Sequence, residues 1–563
     1  MNRTAELAER FWAWRDETQP DSMDDLPRVE RPSGWVADWS AEAVRELGRR
    51  LAEFEGELGK GLLGAGDGLD APDAPADPHA PSAPADPDAV DARLLGSALA
   101  RVRWELDHLR GWQRNPCFYI DQALSPLYCV LLDRRPFAGE RAESVLRHLR
   151  RVPDTLRHAR ENLAGHAERP FARSAGRKLD GVEERLTASM RALAPHLPPD
   201  EARALPEATE TATRALADYR HWLADPRTEA DFQERAPVGD LSHFLHRVAL
   251  LPHRPERIRD MARQEWDRAT ALEQVLRARH RALPPAVLPA TSAEQIARQE
   301  AAEREIRAFR TERGLFRDPQ DLRGYRFVDM PAHLAPLTWL GVPDDLTSVG
   351  RATEDAVRYV PQPHPGLPFF PYADALDPRL GICHEGVHAQ QLAFSWQHPN
   401  PVRRHFYDST PNEGIAFHQE ELLLSAGLFD DAPHSALTIV GFLRLRALRA
   451  EVDIGLANGD LTIEEATDRL DVVLGDRGTA WEEAVFFAGN PGQALSYQVG
   501  KLQINELIAE LPGDVALADF HRRLWREGNV PLALQRWELL GRRDHLDRAD
   551  ALAGARQSPT ATK

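Results

Sequence analysis

Residues 384–396 read HEGVHAQQLAFSW, and their spacing predicts a helix. His384 and His388 stand four positions apart, so on a helix both imidazoles lie on one face. Leu392, Ala393 and Trp396 carry apolar contacts on beyond them. Gly386 lowers helix propensity by about 1 kcal/mol relative to Ala. A small residue there suits close approach by a substrate or a second helix. The pattern is H-E-x-x-H. Two neutral imidazoles at this spacing suit zinc, which takes nitrogen ligands at tetrahedral angles. Glu385 is offset by about 100° around the helix, so it flanks such an ion and is placed to act as a general base. The plain alternative is a helix His pair that holds no metal.

A third ligand is sought downstream, and Thr410-Pro411-Asn412-Glu413-Gly414-Ile415-Ala416-Phe417-His418 supplies the candidate. The gap from His388 to Glu413 leaves room to finish one helix, turn, and begin another packed against it. A His, His, Glu set with one open position is the arrangement of a catalytic zinc, one ion per chain. The same segment also reads as a capping box, with Thr410 as N-cap, Pro411 at N1 and Glu413 at N3. Glu413 cannot serve both geometries, and the preceding motif tips the reading to metal. Glu420 falls seven positions after Glu413, on the same helical face, where it can hydrogen-bond a ligating His. His418 and His405 are weaker candidates for lining a cleft.

The rest of the chain sets the context. Of its 563 residues, 42% are hydrophobic and 28% charged, enough for a large core under a polar surface. The net charge of −18 argues against nonspecific binding to nucleic acid or anionic membrane. The N-terminus has no apolar signal core, and no long uncharged apolar run reads as a membrane span. Cys117, Cys129 and Cys383 lack the spacing of a disulfide framework or zinc finger, which points to reduced thiols in a cytoplasmic protein.

Ala, Leu, Arg and Glu dominate, with apolar residues three and four apart, so the chain is expected to be mainly α with little β. Leu272, Val275 and Leu276 show the spacing in a run that ends by His280. Ser292 with Gln295, and Thr462 with Glu465, have capping-box spacing. Residues 1–64 read as an N-terminal helical segment. Residues 65–92, almost all Ala, Pro, Asp and Gly, read as a disordered acidic loop. Residues 93–341 read as a helical body and 342–563 as a helical catalytic part packed with it as one unit. The Pro-rich stretch 342–378 reads as irregular chain, either a cleft wall or a connector.

Four blocks together resemble DUF885, a large bacterial family of uncharacterised helical proteins whose members look like distant relatives of gluzincin metallopeptidases. They are His384-Glu385-Gly386-Val387-His388; Glu413-Gly414-Ile415-Ala416 with Glu420 and Leu422; Arg449-Ala-Glu-Val-Asp453-Ile-Gly455-Leu456; and Asn490 through Lys501, NPGQALSYQVGK. Arg114-Asn115-Pro116 followed by Tyr119 is a fainter echo. The resemblance implies a helical fold around a long cleft, His384, His388 and Glu413 as zinc ligands, and Glu385 as base. It also implies that Tyr497 points into the cleft, where a phenol can donate to an oxyanion. The family usually has a longer H-E-x-x-P-G-H pattern, and the compact spacing here marks a divergent branch. Ile415 and His418 stand where the family has Trp and Tyr, Ala457 where a His is common, and Phe486 where an Arg is common.

The expected chemistry is zinc-dependent hydrolysis of a peptide or related amide, with no nucleic-acid or membrane partner. Arg449, Arg444 or Lys501 are candidates to anchor a substrate carboxylate. The rivals are a hydrolase specialised for a small amide or ester, and a non-catalytic binding protein that keeps the fold.

Overall fold

In the computed structural model, which describes residues 3–22, 29–64, 85–280, 283, 286–317 and 322–554, helix follows helix along nearly the whole chain. These residues form 24 α-helices and one small sheet, a mainly α protein. Helix ends follow local chemistry. Thr462 and Glu465 make the reciprocal capping box their spacing implies. At the other expected box the register is one residue earlier. Thr291 accepts from the Glu294 N–H, and Glu294 Oε2 accepts from the Ala290 N–H. Gln295 is therefore not a cap residue. It is buried, and its amide donates to the Asp374 carbonyl. The Leu272–Leu276 pattern lies in helix Pro255–Arg279, which stops at His280.

Residues 65–84 of the expected acidic loop lie outside the described residues. The end of that stretch is not loop. Helix Pro87–Arg103 begins there, with Asp86 accepting the Asp88 N–H. Asp and Pro are helix starters at the first turn, whatever they do in a helix interior. Val90, in the same stretch, is fully buried in an apolar cluster with Leu7 and Phe11 of helix Arg3–Thr18. The largest apolar cluster fills the space between Pro116–Leu132, Glu140–Leu163 and Pro199–Ala224.

The Pro-rich stretch is also more ordered than its composition suggests. Strand β1 (Tyr325–Asp329) precedes it, and β2 (Asp344–Asp345) and β3 (Ala356–Val360) lie within it. The order is β1-β3-β2, with β1 parallel and β2 antiparallel to β3. Register sets Tyr325 beside Ala356 and Asp344 beside Arg358.

Four helices build the centre: Arg379–Trp396, Ser409–Ala426, Pro433–Asn458 and Gln493–Ala509. They are buried nearly all round, as expected of helices whose apolar residues do not form a single stripe. The second and fourth touch backbone to backbone. A Cβ on Gly414 would lie 2.6 Å from Gly500 Cα, and a Cβ on Gly500 would lie 2.1 Å from the Thr410 carbonyl oxygen. Only glycine at both positions permits this crossing. Among the described residues no helix is long and apolar enough to cross a membrane, and none of the three cysteines forms a disulfide.

Candidate metal centre

His384 and His388 project from one face of the Arg379–Trp396 helix, with their rings nearly perpendicular at 87° and Nε2 atoms 3.1 Å apart. Glu413 comes from the first turns of the Ser409–Ala426 helix. Its Oε2 lies 3.2 Å from His384 Nε2 and 3.5 Å from His388 Nε2. Glu413 is 0% exposed. A tetrahedral zinc with bonds of 2.0–2.1 Å holds its ligand atoms about 3.3 Å apart, so the three observed separations fit such an ion. Among the described residues this is the one group of three His, Cys, Asp or Glu side chains close enough to share a metal.

The competing capping role for Glu413 is not used. The helix starts one residue before Thr410, and Asp408 is its cap, accepting the Thr410 N–H at 2.8 Å. With the terminus satisfied by Asp408, the Glu413 carboxylate is left to the histidines.

Each imidazole is held from behind. Glu420 Oε1 lies 2.8 Å from His384 Nδ1, two turns along from Glu413 as the sequence implies. Arg446, on the Pro433–Asn458 helix, is in turn 2.8 Å from Glu420 Oε1. The side-chain amide of Asn412 lies 2.8 Å from His388 Nδ1. The atom nearest Nδ1 is the amide nitrogen, and the amide oxygen has no partner among the described residues; ligation through Nε2 puts the proton on Nδ1 and requires the amide turned over so that its oxygen accepts. Without a metal, burial works to lower the His384 pKa, but hydrogen bonds to the Glu413 and Glu420 carboxylates outweigh it and hold it up at about 9. Glu413 is pushed well below the usual carboxylate range: burial opposes the shift, and His388 and His384 overcome it.

Glu385 is half-buried on the side of the helix that meets the sheet. Tyr325 of β1 lies against Gly386, 3.6 Å from where a Cβ would sit, an ordinary packing distance that does not itself demand glycine. Tyr325 donates to Asp344 at 2.7 Å, while Arg358 reaches Asp344 at 3.4 Å and Asp374 at 3.0 Å. Burial disfavours the Arg358 cation, but Tyr325, Asp344, Asp374 and Glu385 together keep it charged. Asp374 is pushed up to about 7, mainly by burial, with Arg358 opposing and Glu385 adding. The Pro-rich stretch thus brings Asp344, Arg358 and Asp374 into a buried network with Tyr325 near Glu385.

Tyr497 packs on the other side, its ring stacked on His384 at 6.1 Å and 18°. The guanidinium groups of Arg446 and Arg449 lie 5.5 and 5.0 Å from its ring centroid. The remaining candidates are engaged elsewhere. Arg449 is buried and paired with Glu483. Arg444 pairs with Glu273. Lys501 lies 2.7 Å from both Glu265 and Glu421. His418 is buried against His521 and Asn505, and His405 stacks on Trp12, so neither is a surface histidine. Sequence reasoning passed over Asn412, Arg446, Tyr325 and Arg358. Asn412 had a signal, since it adjoins Glu413; the others lie on elements whose contacts no spacing rule reveals.

No curated protein sequence matches the chain. Two solved structures share its fold over nearly their full lengths. One is a candidate lipoprotein of unknown function from Shewanella oneidensis, 14% identical, covering 95% of this chain and 99% of that one with a TM-score of 0.63. The other is a candidate lipoprotein from Colwellia psychrerythraea, 16% identical, covering 98% and 97% with a TM-score of 0.66. Residues 380–539, which hold all three candidate ligands together with Glu385, Glu420 and Tyr497, match the family described as "Bacterial protein of unknown function (DUF885)".

Proposed function

We propose that the protein is a zinc-dependent hydrolase that cleaves a peptide or related amide bond. The observation that carries this reading is the convergence of His384 Nε2, His388 Nε2 and Glu413 Oε2 at the spacing of a tetrahedral ion, with Glu385 beside them. A zinc ion held there supplies a Lewis acid and a water whose pKa is brought near neutrality. Glu385 accepts the proton of the attacking water and passes it to the leaving amine. Glu420 and Asn412 fix the two rings, which favours one geometry over many. Tyr497, whose ring stacks on His384, would donate a hydrogen bond to the carbonyl oxygen as negative charge builds on it. A purely structural zinc needs no general base, so Glu385 supports an enzyme over a scaffold.

The test is metal content of the purified protein, wild type beside His388→Ala. The expected result is about one zinc per chain in wild type and none in the variant. Glu385→Gln should keep its metal and lose turnover of a short-peptide panel by about 10²–10⁴-fold. No metal in wild type after zinc is added back would sink the reading. A panel that includes amide-bearing small molecules separates a peptidase from a specialised amide hydrolase. A cytoplasmic location belongs to the same proposal and rests on three cysteines none of which forms a disulfide. The description of the structural neighbours as candidate lipoproteins favours attachment to a membrane instead, and cell fractionation decides between them.

A further inference from the structure

A cavity of about 490 Å³ lies beside the candidate metal centre, with none of the three candidate ligands in its wall. Its inner end is lined by Leu392, Ser409 and Gln493. Each stands one turn from a residue of the centre on its own helix. Leu392 follows His388 by four positions, Ser409 precedes Glu413 by four, and Gln493 precedes Tyr497 by four. A turn rises about 5.4 Å, so three separate helices bring the cavity to the edge of the cluster.

The polar groups of this wall are incompletely matched. Gln493 is 6% exposed, and its Oε1 accepts from Ser409 Oγ, yet no protein group accepts from its Nε2. Trp12 is 8% exposed and its Nε1 likewise has no protein acceptor. Buried donors of this kind are rarely left unmatched in native proteins. The carboxylates show the same imbalance. Glu105 pairs with Arg15 at 2.9 Å and Asp21 with Arg31 at 2.8 Å. Among the described residues, Asp16 and Asp121 are in no ion pair, and no donor reaches Asp121 Oδ1. Burial pushes Asp121 up to about 7, with Lys178 opposing, and Asp16 up to about 6, with Arg31 opposing. The lining arginines are already engaged: Arg101 with Asp408, and Arg404 with the His398 and Pro399 carbonyls. What the wall lacks is a cation next to acceptor oxygens.

We propose that this cavity is the substrate pocket, and that it selects molecules presenting an ammonium group to Asp121 and Asp16 and carbonyl oxygens to Gln493 and Trp12. The claim that the bound molecule is then cut rests on the hydrolase reading above; the claim that it binds does not. An ammonium followed closely by carbonyls describes the amino-terminal end of a peptide. A lysine side chain is the other source of the same cation.

Calorimetric titration of the full-length, zinc-supplied Glu385→Gln protein at pH 7.5 tests this without consuming the ligand. The probes are trialaninamide, its N-acetyl form, and N-acetyl-lysyl-alaninamide. Trialaninamide should bind at least tenfold more tightly than its acetylated form, and Asp121→Asn should abolish that preference. Asp16→Asn should weaken it and serves as a second variant if Asp121→Asn does not fold. Tighter binding of the lysyl probe than of trialaninamide also supports the pocket and makes the side chain the source of the cation. Equal binding of free and acetylated trialaninamide overturns the proposal, as does a preference that survives both variants. Turnover of trialaninamide by wild type is read separately: if binding is selective but nothing is cleaved, the hydrolase reading fails and the pocket stands.

Discussion

His384 and His388 face each other through Nε2 atoms 3.1 Å apart, and His418 and His521 do the same at 3.0 Å. Both pairs are buried, and His418 shares a helix with Glu413. What differs is what else reaches the inner nitrogens. His521 Nδ1 lies 2.7 Å from the Leu315 carbonyl and His418 Nδ1 lies 3.2 Å from Asn505 Oδ1, and among the described residues no third metal-ligating side chain joins this pair. At His384 and His388, Glu413 Oε2 comes within 3.2 and 3.5 Å of the two Nε2 atoms, while Glu420 backs His384 Nδ1 and the Asn412 amide backs His388 Nδ1. A close pair of buried histidines is thus a candidate metal site only where a third ligand reaches the inner nitrogens.

This comparison predicts a large asymmetry. His388→Ala should remove zinc binding altogether, a loss of more than about 10³-fold in affinity. His418→Ala should leave zinc stoichiometry unchanged. Metal analysis after dialysis against a weak chelator reads both, and equal zinc loss in the two variants would break the distinction. Next in size is Glu420→Gln, which keeps shape but removes the charge behind His384. Competition with a fluorescent zinc chelator should show affinity falling by about 10–100-fold. An unchanged affinity would mean that Glu420 only balances Arg446.

How much of this was legible in the sequence follows from the range of each interaction. His384, Glu385 and His388 lie within one turn and a half of a helix, so periodicity alone places them together. Glu413 and Glu420 required a second helix to pack correctly, and their seven-residue spacing was a usable sign of a shared face. Asn412 competed with its neighbours for attention because Thr410, Pro411 and Glu413 mimic a capping box, while the true cap, Asp408, lies just outside the segment read for a cap. Arg446, Tyr325 and Arg358 reach the site from other elements, through packing that leaves no spacing pattern. The three-stranded sheet was hidden by short strands amid prolines. Arg449 and Lys501 are candidate anchors for a substrate carboxylate in the sequence because pairing across 34 and 236 positions, to Glu483 and Glu265, is invisible along the chain.

The glycine crossing offers a smaller, separable effect on stability. Gly414→Ala brings a methyl carbon to 2.6 Å from Gly500 Cα, where the obstacle is backbone and cannot rotate away. The expected cost is about 1–3 kcal/mol by overpacking, read from the urea midpoint of the metal-free protein. The candidate ligands are untouched, but the helix carrying Glu413 must shift, so any zinc affinity should fall as well. Gly386→Ala is the control. Its new methyl meets Ile382 at 3.3 Å and Tyr325 at 3.6 Å, contacts that small side-chain adjustments relieve. If Gly414→Ala is no more costly than Gly386→Ala, the crossing does not position Glu413.

The last prediction concerns pH, and there the two histidine pairs act in opposite directions. Burial pushes His418 down to about 3 and His521 down to about 4, with neighbouring positive charge adding in each case and a hydrogen bond opposing in each, to Asn505 for His418 and to the Leu315 carbonyl for His521. Their unfolded value is near 6.5. A lowered histidine pKa stabilises the fold above 6.5, and that contribution is lost as pH falls from 6.5 toward 4. In zinc-free protein His384 has a raised pKa of about 9, so its contribution is full below 6.5 and is lost as pH rises through 9. His418→Gln removes one titration from the first pair and none from the second. Between pH 7.5 and 5, the variant should therefore lose about 1–2 kcal/mol less stability than wild type, whatever the cost of the substitution itself. Urea unfolding in chelator at the two pH values gives the difference. Equal losses in variant and wild type would mean that the His418–His521 pair takes up a proton without unfolding, and the contrast between the two sites would then have to rest on Glu413 and Glu420 alone.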